Sequence, residues 1–338
     1  LFFLLSRLVI SANYSDKIVG LNEIKRFLQL RFFRLYPLHL AMLGVFVSLE
    51  CVKFVGKNRF GITPEHVPFT GGNSWGTLIA NLFLVQGLGV VDRPNWNGPS
   101  WSISCEFFAY IVFAILVLAG ATRKRLFFAL GSITAVSAYA GVALYKHSLD
   151  AIFDFGVVRC LAGFFLGMLI FELTKHVRQL RFFSRYDLVL AIVLIVSMAL
   201  FSGAAVALII PIFVATVMLL QTDNGPAARV LMIRPIQFLG RISYSVYMVH
   251  SAVIVCVLMV LKRFVSVPMG FNASSGKLMV VVNPWVGDAL VLGIVATVLA
   301  FAAVTFALIE EPWRLYGRKC ATLSRPPGDK RAEPALQE

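Results

Sequence analysis

Charge is scarce in this chain: only 14% of its 338 residues are Asp, Glu, Lys or Arg, where a soluble domain carries about a quarter. So few charges cannot cover a water-exposed surface, which excludes an ordinary soluble fold. Acidic residues are scarcer still, 17 against 31 basic ones. The five cysteines, Cys51, Cys105, Cys160, Cys256 and Cys320, are scattered and form no C-x-x-C pair. That excludes a disulfide framework and leaves them as packing residues. No Walker loop, G-x-G-x-x-G, G-x-S-x-G elbow or His-rich spacing occurs, so no metal site and no permanently bound cofactor is expected. The chain does not open on Met, and no basic stretch precedes its first apolar run, so no cleavable signal peptide is expected. Leu1 to about Ala12 reads as the tail end of a span cut in mid-helix.

What is present is apolar. Hydrophobic residues make up 59% of the chain and the mean hydropathy is +0.81. Runs near twenty residues recur, which excludes a barrel of short alternating strands, because a bilayer leaves backbone polar groups no water to bond. The expected class is all-α, a polytopic transmembrane helical bundle whose partner is the lipid bilayer. Beyond the N-terminal partial span, about eight full spans are read at roughly 37–54, 99–120, 126–145, 151–172, 187–202, 204–220, 243–261 and 286–309. Two long loops, 55–92 and 262–285, lie outside. The first holds a shorter apolar piece, Leu78 to Val91, too short to cross and read as re-entrant or interfacial. Residues 1–320 form one membrane domain, and 321–338, rich in Pro, Gly and charge, a disordered tail.

A net charge of +14 would suggest nucleic acid in a soluble protein. Here the basic residues sit in short loops. Alternate loops, within 17–34, 123–125, 175–185, 229–241 and 314–331, hold 21 of the 31. The positive-inside rule therefore puts these loops and the C-terminus in the cytoplasm, and no nucleic-acid partner is expected.

The stretch Asn95-Trp-Asn-Gly-Pro-Ser-Trp101-Ser-Ile-Ser-Cys-Glu106-Phe-Phe-Ala-Tyr110 carries the first chemistry. Asn-Gly-Pro is turn chemistry, and Pro99 suits the first turn of a helix. At helical spacing Ser102, Glu106 and Tyr110 share a face. A carboxylate inside an apolar helix is costly unless it has a partner or a task, which makes Glu106 the leading candidate against a plain structural acid. Upstream, Asn22 reads as the N-cap of an amphipathic cytoplasmic helix ending at Tyr36. Arg31 falls inside its apolar stripe of Ile24, Phe27, Leu28 and Leu35, and Arg34 at the edge. Arg31 therefore either snorkels to headgroups or faces an anionic ligand. Pro37 starts a separate span, with His39 an interfacial polar residue near its wet end.

Three further constellations lie at membrane depth. Arg159 shares a face with Gly163 and Gly167 and reads either as a site residue or as the structural partner of Glu106. Ser243, Tyr247 and His250 line another face, where a histidine can transfer protons or simply be a satisfied core residue. Glu310 and Arg314, one turn apart, read as a structural pair closing the last span.

The order of these motifs resembles the acyltransferase 3 family of integral-membrane O-acyltransferases over nearly the whole chain. Phe2-Phe-Leu-Leu-Ser6 is similar to that family's F-F-x-x-S-G, and Arg31-Phe-Phe-Arg34-Leu-Tyr-Pro37 to its R-x-x-R-x-x-P-x-Y/H. Trp101-Ser102-x-Ser104-x-Glu106 matches W-S-x-S-x-E. Arg159 to Gly167 resembles R-x-x-x-G-F-x-x-G, Ser243-Tyr244-Ser245-x-Tyr247-x-x-His250 resembles S-Y-S-x-Y-x-x-H, and Glu311-Pro312 the closing E-P. Two departures stand out: the family's first span, with its basic residue and histidine, has no counterpart here, and Arg7 stands where the pattern has Gly.

The resemblance implies a bacterial inner-membrane enzyme that moves an acyl group, usually acetyl, from cytoplasmic acyl-CoA to a hydroxyl of an envelope or exported polysaccharide. It implies catalytic roles for Glu106, His250 and Arg159, and donor binding by Arg31 and Arg34. Acceptor-binding or site-shaping roles fall to Ser6, Trp101, Ser102, Ser104, Tyr110, Ser243, Tyr244 and Tyr247. Acyl-CoA and a glycan acceptor are the expected partners, with acyl-CoA a co-substrate. The composition also allows a glycan or lipid-linked sugar flippase, although no internal repeat is visible, or an inactive fragment of the acyltransferase.

Overall fold

One face of one helix organises the described structure. The computed structural model describes residues 20–62, 64, 66–119, 125–146, 154–174, 185–201, 209–220, 225–262, 269–272 and 277–323. Helix α1, Leu21–Phe60, runs unbroken for 40 residues. Its buried residues, Ile24, Phe27, Arg31, Leu35, Leu38, His39, Met42, Leu43, Phe46 and Glu50, follow each other at the three-to-four spacing of a single stripe. The expected amphipathic helix and the separate span after Pro37 are therefore one element. Pro37 removes one backbone hydrogen bond, but the stripe is continuous across it and holds both halves on the same core. Gly20, not Asn22, is the N-cap. At the other end Gly61 takes the left-handed conformation, φ 61°, and Ile62 N–H closes on Gly56 O at 3.1 Å, a helix-ending geometry that suits glycine.

The connection to the next long helix holds the short helix α2, Trp75–Leu82, and an irregular turn at Gln86–Val90 in which Gly89 has φ +83°. Leu78–Val91 is thus a broken segment and not one helix. Phe69, Leu84 and Trp96 are non-glycine residues with positive φ, and all three lie in this connection. Such conformations persist only where the surroundings impose them. Here the imposing contacts are visible: Glu50, buried on α1, accepts from Phe69 N–H at 3.1 Å and Asn73 Nδ2 at 3.0 Å. Asn73 Oδ1 in turn accepts from Trp96 N–H at 2.7 Å.

A 3-10 turn at Gly98–Ser100 leads into α3, Trp101–Leu118, so the helix starts where Pro99 placed it. Helices α4, Arg125–Lys146, and α5, Gly156–Thr174, pack on each other, and α5 also packs on α3. Lys146 Nζ lies 2.7 Å from Asp154, and this hydrogen bond holds the Asp154 carboxyl below the usual carboxylate range. Next come α6, Asp187–Leu200, and α7, Ile209–Leu220, packed on each other. The loop expected at 221–242 instead contains α8, Pro226–Leu231, and the start of α9, Arg234–Val260. Asp187 fixes α8 by accepting from the N–H groups of Ala227 and Ala228, both at 3.1 Å.

The segment expected as an outer loop holds a two-stranded antiparallel hairpin, β1 Met269–Asn272 with β2 Lys277–Val280, in the register Met269↔Val280. It is the one departure from helix among the described elements. Helix α10, Pro284–Thr305, passes through a π-turn, Phe306–Glu310, into α11, Glu311–Leu323. The tail therefore stays helical past Ala321, which is itself buried. Phe33 of α1 stacks on Trp313 at 6.0 Å, and Gly317 passes so close to Phe33 that a Cβ there would lie 2.7 Å from its side chain.

Among the described residues four helices are long and apolar enough to cross a membrane: Leu21–Phe60, Gly98–Leu118, Arg234–Val260 and Pro284–Thr322. Three shorter apolar helices, Gly156–Ile170, Asp187–Leu200 and Pro211–Leu220, accompany them. The protein is a multi-pass membrane helical bundle. Its largest core joins α1, α3, α5, α9 and α10 through Phe27, Leu38, Ile103, Phe113, Phe164, Met248 and Ala302.

Candidate functional site

Helix α3 presents two polar faces, and the first is the one its sequence spacing implied. Ser102, Glu106 and Tyr110 are all buried, and the Tyr110 hydroxyl donates to Glu106 Oε1 one turn away. A phenol donating to a carboxylate is a charge-assisted bond. The Arg31 guanidinium lies 5.4 Å from the Tyr110 ring centroid and 5.7 Å from that of Phe27, within cation–π range. Arg31 is itself buried, 7% exposed. It turns into the core beside the acid and not outward to headgroups.

At the start of the same face Ser102 Oγ and Tyr247 Oη are 2.8 Å apart. Each also reaches Pro99 O, at 3.1 and 2.9 Å. That triangle joins α3 to α9. Glu106 and Arg159 both lie within electrostatic reach of the Tyr247 hydroxyl. His250, one turn further along α9, places Nδ1 2.7 Å from Tyr247 O, which leaves Nε2 as its free valence in the neutral ring.

A second acid lies along the interface of α1 and α9. Glu310, buried in the π-turn, accepts from Ser245 Oγ at 2.6 Å. Arg34 and Arg314 lie within its electrostatic reach. Tyr244 donates to Leu35 O at 2.6 Å and feels both Glu310 and Glu106. The expected Glu310–Arg314 pair is therefore corrected: Arg314 forms a two-pronged ion pair with Glu311, at 2.8 and 2.9 Å. The π-turn shifts the phase of the helix so that Glu310 faces the bundle. π-turns of this kind often mark functional positions.

The second face of α3 carries Ser100 and Ser104. Ser104 Oγ donates to Leu84 O at 2.6 Å and accepts from Gly87 N–H at 3.1 Å. Gly87 is needed here, because a Cβ would sit 2.4 Å from Trp101 O. Trp101 also covers Gly156 of α5, where a Cβ would meet its ring at 2.9 Å. Ser104 and Trp101 thus shape the site by fixing the broken segment and α5 against α3. Ser100 joins a buried chain through Asn81 and Asn95, with Asn81 Nδ2 donating to Asn95 Oδ1 at 2.7 Å. The chain ends on His39, whose Nε2 is 3.0 Å from Asn81 O. His39 is fully buried, which overturns its reading as an interfacial residue: it lies on the inner stripe of α1, four positions after Leu35.

The structure brings together Glu106, Tyr110, Ser102, Tyr247, Arg31 and, more loosely, Arg159, Arg34, Tyr244 and His250. It does not bring Ser243 with them. Ser243 is exposed, and its neighbour Ser245 takes the inward position. The expected face of Ser243, Tyr247 and His250 was out by two residues at its start. Ser6, Arg7 and the partial first span lie outside the described residues. His39, Asn81, Gln86, Asn97 and Glu310 were not singled out as site residues, although amides at 81 and 86 inside an apolar piece carry the same burial cost that drew attention to Glu106. Among the described residues no group of three or more His, Cys, Asp or Glu could hold a metal ion.

A buried carboxylate with a tyrosine on it and arginines alongside, inside a bundle of membrane helices, defines a multi-pass membrane protein with an ionisable centre. The family follows from the sequence comparison. The acyltransferase-domain family (Acyl_transf_3) matches residues 1–306, and the chain belongs to that family. It is similar to the acyltransferase MdmB of Streptomyces mycarofaciens, with 33% identity over 118 residues, 34% of this chain and 26% of that protein. The matched stretch thus spans about a quarter of that relative's length. No solved structure matches the chain.

Proposed function

We propose that the protein is a membrane O-acyltransferase of the bacterial inner membrane, about eight spans with a cytoplasmic C-terminus, that moves an acetyl group from cytoplasmic acyl-CoA to a hydroxyl of an envelope or exported polysaccharide. The observation that carries the reading is the buried line Arg31–Tyr110–Glu106, with Ser102 and Tyr247 at its other end. In such a transfer the thioester C–S bond breaks and a new C–O ester bond forms. The acceptor hydroxyl gives up its proton, and the departing thiolate takes one. Glu106 is the base placed for the first proton: a carboxylate buried in the bundle, one turn from Tyr110 and on the same face as Ser102. Tyr110, bonded to it, holds its orientation. Arg31 and Arg34 supply the cations that suit the phosphates of an acyl-CoA donor. His250 and Arg159, on the Tyr247 side, border the acceptor. The family membership supports acyl transfer, and the acceptor class rests on the resemblance alone.

The test is radiolabelled acetyl-CoA supplied to membranes containing the protein and its host glycans. Expected is label in the polysaccharide, lost with Glu106→Gln while the amount of protein in the membrane is unchanged. Undiminished labelling by the variant removes Glu106 from the chemistry. Sugar movement across the membrane without consumption of acetyl-CoA would make the protein a flippase.

A further inference from the structure

Glu50 is the last buried residue on the inner stripe of α1 and is only 1% exposed. The acyl-transfer chemistry leaves it without a task, yet a buried carboxylate is costly unless its oxygens are fully bonded. Here they are. One oxygen accepts from Lys53 Nζ at 2.7 Å and from Asn73 Nδ2 at 3.0 Å, and the other from Phe69 N–H at 3.1 Å. His66 Nε2 stands 3.3 Å away on the exposed side. Lys53 belongs to α1 itself. The donors that tie the carboxylate to the connection before α3 are Phe69 and Asn73.

Asn73 passes the tie on. A carboxylate can only accept and a backbone N–H can only donate, so the amide is fixed with Nδ2 on Glu50 and Oδ1 on Trp96 N–H, at 2.7 Å. Trp96 is held at its ring as well, where Nε1 donates to Thr77 Oγ1 at 3.0 Å. The turn at Gly71–Asn73 is pressed against the same stretch: a Cβ on Gly72 would lie 2.2 Å from Pro94 O. These contacts hold Trp96 at φ +27°, a conformation that a tryptophan keeps only under constraint. The next residue, Asn97, donates through Nδ2 to Met248 O of α9 at 3.1 Å. Two residues later comes Pro99, whose carbonyl takes both Ser102 Oγ and Tyr247 Oη. The path imposed at Trp96 therefore ends on the face of α3 that bears Glu106.

We infer that Glu50 is a positioning residue for transfer at Glu106: through Asn73 and Trp96 its carboxylate sets where Pro99 O stands, and with it the Ser102–Tyr247 contact between α3 and α9. An amide in its place could not do this, because it has one acceptor oxygen for two donors of the connection and turns an NH2 group on the other. What is positioned rests on the acyl-transfer reading; the link from Glu50 to Pro99 does not.

The experiment uses the whole chain in phosphatidylethanolamine–phosphatidylglycerol nanodiscs, well below the melting temperature of each variant. It reads deuterium exchange of the Trp96 amide by mass spectrometry and acetyl transfer from acetyl-CoA to host polysaccharide. Glu50→Gln should speed exchange at Trp96 about tenfold, as for one lost hydrogen bond. It should also lower kcat about tenfold with KM for acetyl-CoA unchanged, since Arg31 and Arg34 lie off this path. Asn73→Ala leaves Glu50 with Lys53 and Phe69 and cuts only the link to Trp96. It should give the same two changes, and serves if Glu50→Gln does not fold. Exchanging the two groups, Glu50→Gln with Asn73→Asp, keeps an acceptor for Phe69 N–H, an acceptor for Trp96 N–H and a bond between the two side chains. It should bring both readouts back to within about threefold of wild type. Unchanged exchange at Trp96 in a folded variant, unchanged kcat, or a raised KM for acetyl-CoA at constant kcat overturns the positioning role. So does a double variant no better than Glu50→Gln. A wild-type chain that transfers no acetyl group overturns the acyl-transfer reading instead, and the exchange measurements alone then decide the link.

Discussion

Helices α3 and α10 look alike in sequence and live differently in the structure. Both are long apolar runs, yet half of the apolar window of α3 is buried against protein and only 11% of that of α10–α11. The serines of α3 reach other elements: Ser102 to Tyr247, Ser104 to Leu84 and Gly87. The hydroxyls of α10 and its end bond their own helix, Thr297 to Gly293 and Thr305 to Phe301. Leu292, Val291 and Phe301 are exposed, as side chains facing lipid tails can be at no cost. Apolarity alone therefore assigns both helices to the membrane and cannot tell the one that carries chemistry from the one that closes the bundle. The difference lies in the few polar residues and in whether their spacing points them at protein.

The sharpest way to break this contrast is Tyr110→Phe. Removing a hydroxyl that donates to a buried carboxylate should lower acyl transfer about 10- to 100-fold, measured as acetyl incorporation into glycan. A result near wild type would make the Glu106 face as inert as α10. Next comes Gly87→Ala. With Trp101 O at 2.4 Å from the new Cβ, backbone must move, and the expected loss is about 1–3 kcal/mol, read from thermal unfolding in detergent. A smaller effect is expected at the exposed edge of α5. Asp154 has its folded pKa lowered by Lys146. Its contribution is therefore present above the unfolded value of about 3.9 and lost as pH falls through the folded one. Because the pair is partly exposed, Asp154→Asn should cost under about 1 kcal/mol at neutral pH and remove that acid sensitivity. The least effect belongs to Leu292→Ala on α10, within about 0.5 kcal/mol. A large loss there would mean that this face packs on protein.

Much of the architecture was legible because it is written in long runs. The start of α3 at Asn-Gly-Pro, the placing of Arg31 inside an apolar stripe and the inability of Leu78–Val91 to form one crossing helix all follow from local chemistry, and the structure bears them out. The errors have two physical sources, tertiary contact and a local break in helical spacing. A proline reads as a break because it removes a hydrogen bond, but the stripe from Ile24 to Glu50 holds α1 together through Pro37. His39 reads as wet because its sequence neighbours do not reveal that Asn81, 42 residues away, offers it a carbonyl in the core. Glu310 reads as the partner of Arg314 because regular helical spacing puts them together, and a π-turn breaks that spacing. Of the site, Glu106 and its face were visible because a carboxylate in grease is conspicuous. The amide-and-imidazole face was not, since each member is neutral and meets its partners only through a turn whose path no periodicity encodes.

The π-turn at Phe306–Glu310 also sets a mechanical phase between the two halves of the last long helix. A single extra residue in a helix rotates everything beyond it by about 100°. Straightening the turn into regular α-helix with every residue kept would thus work as a crank. Glu310 would swing away from Ser245, and the strip bearing Trp313 and Gly317 would rotate off Phe33, so that the loss of one wide turn would uncouple the C-terminal helix from the first.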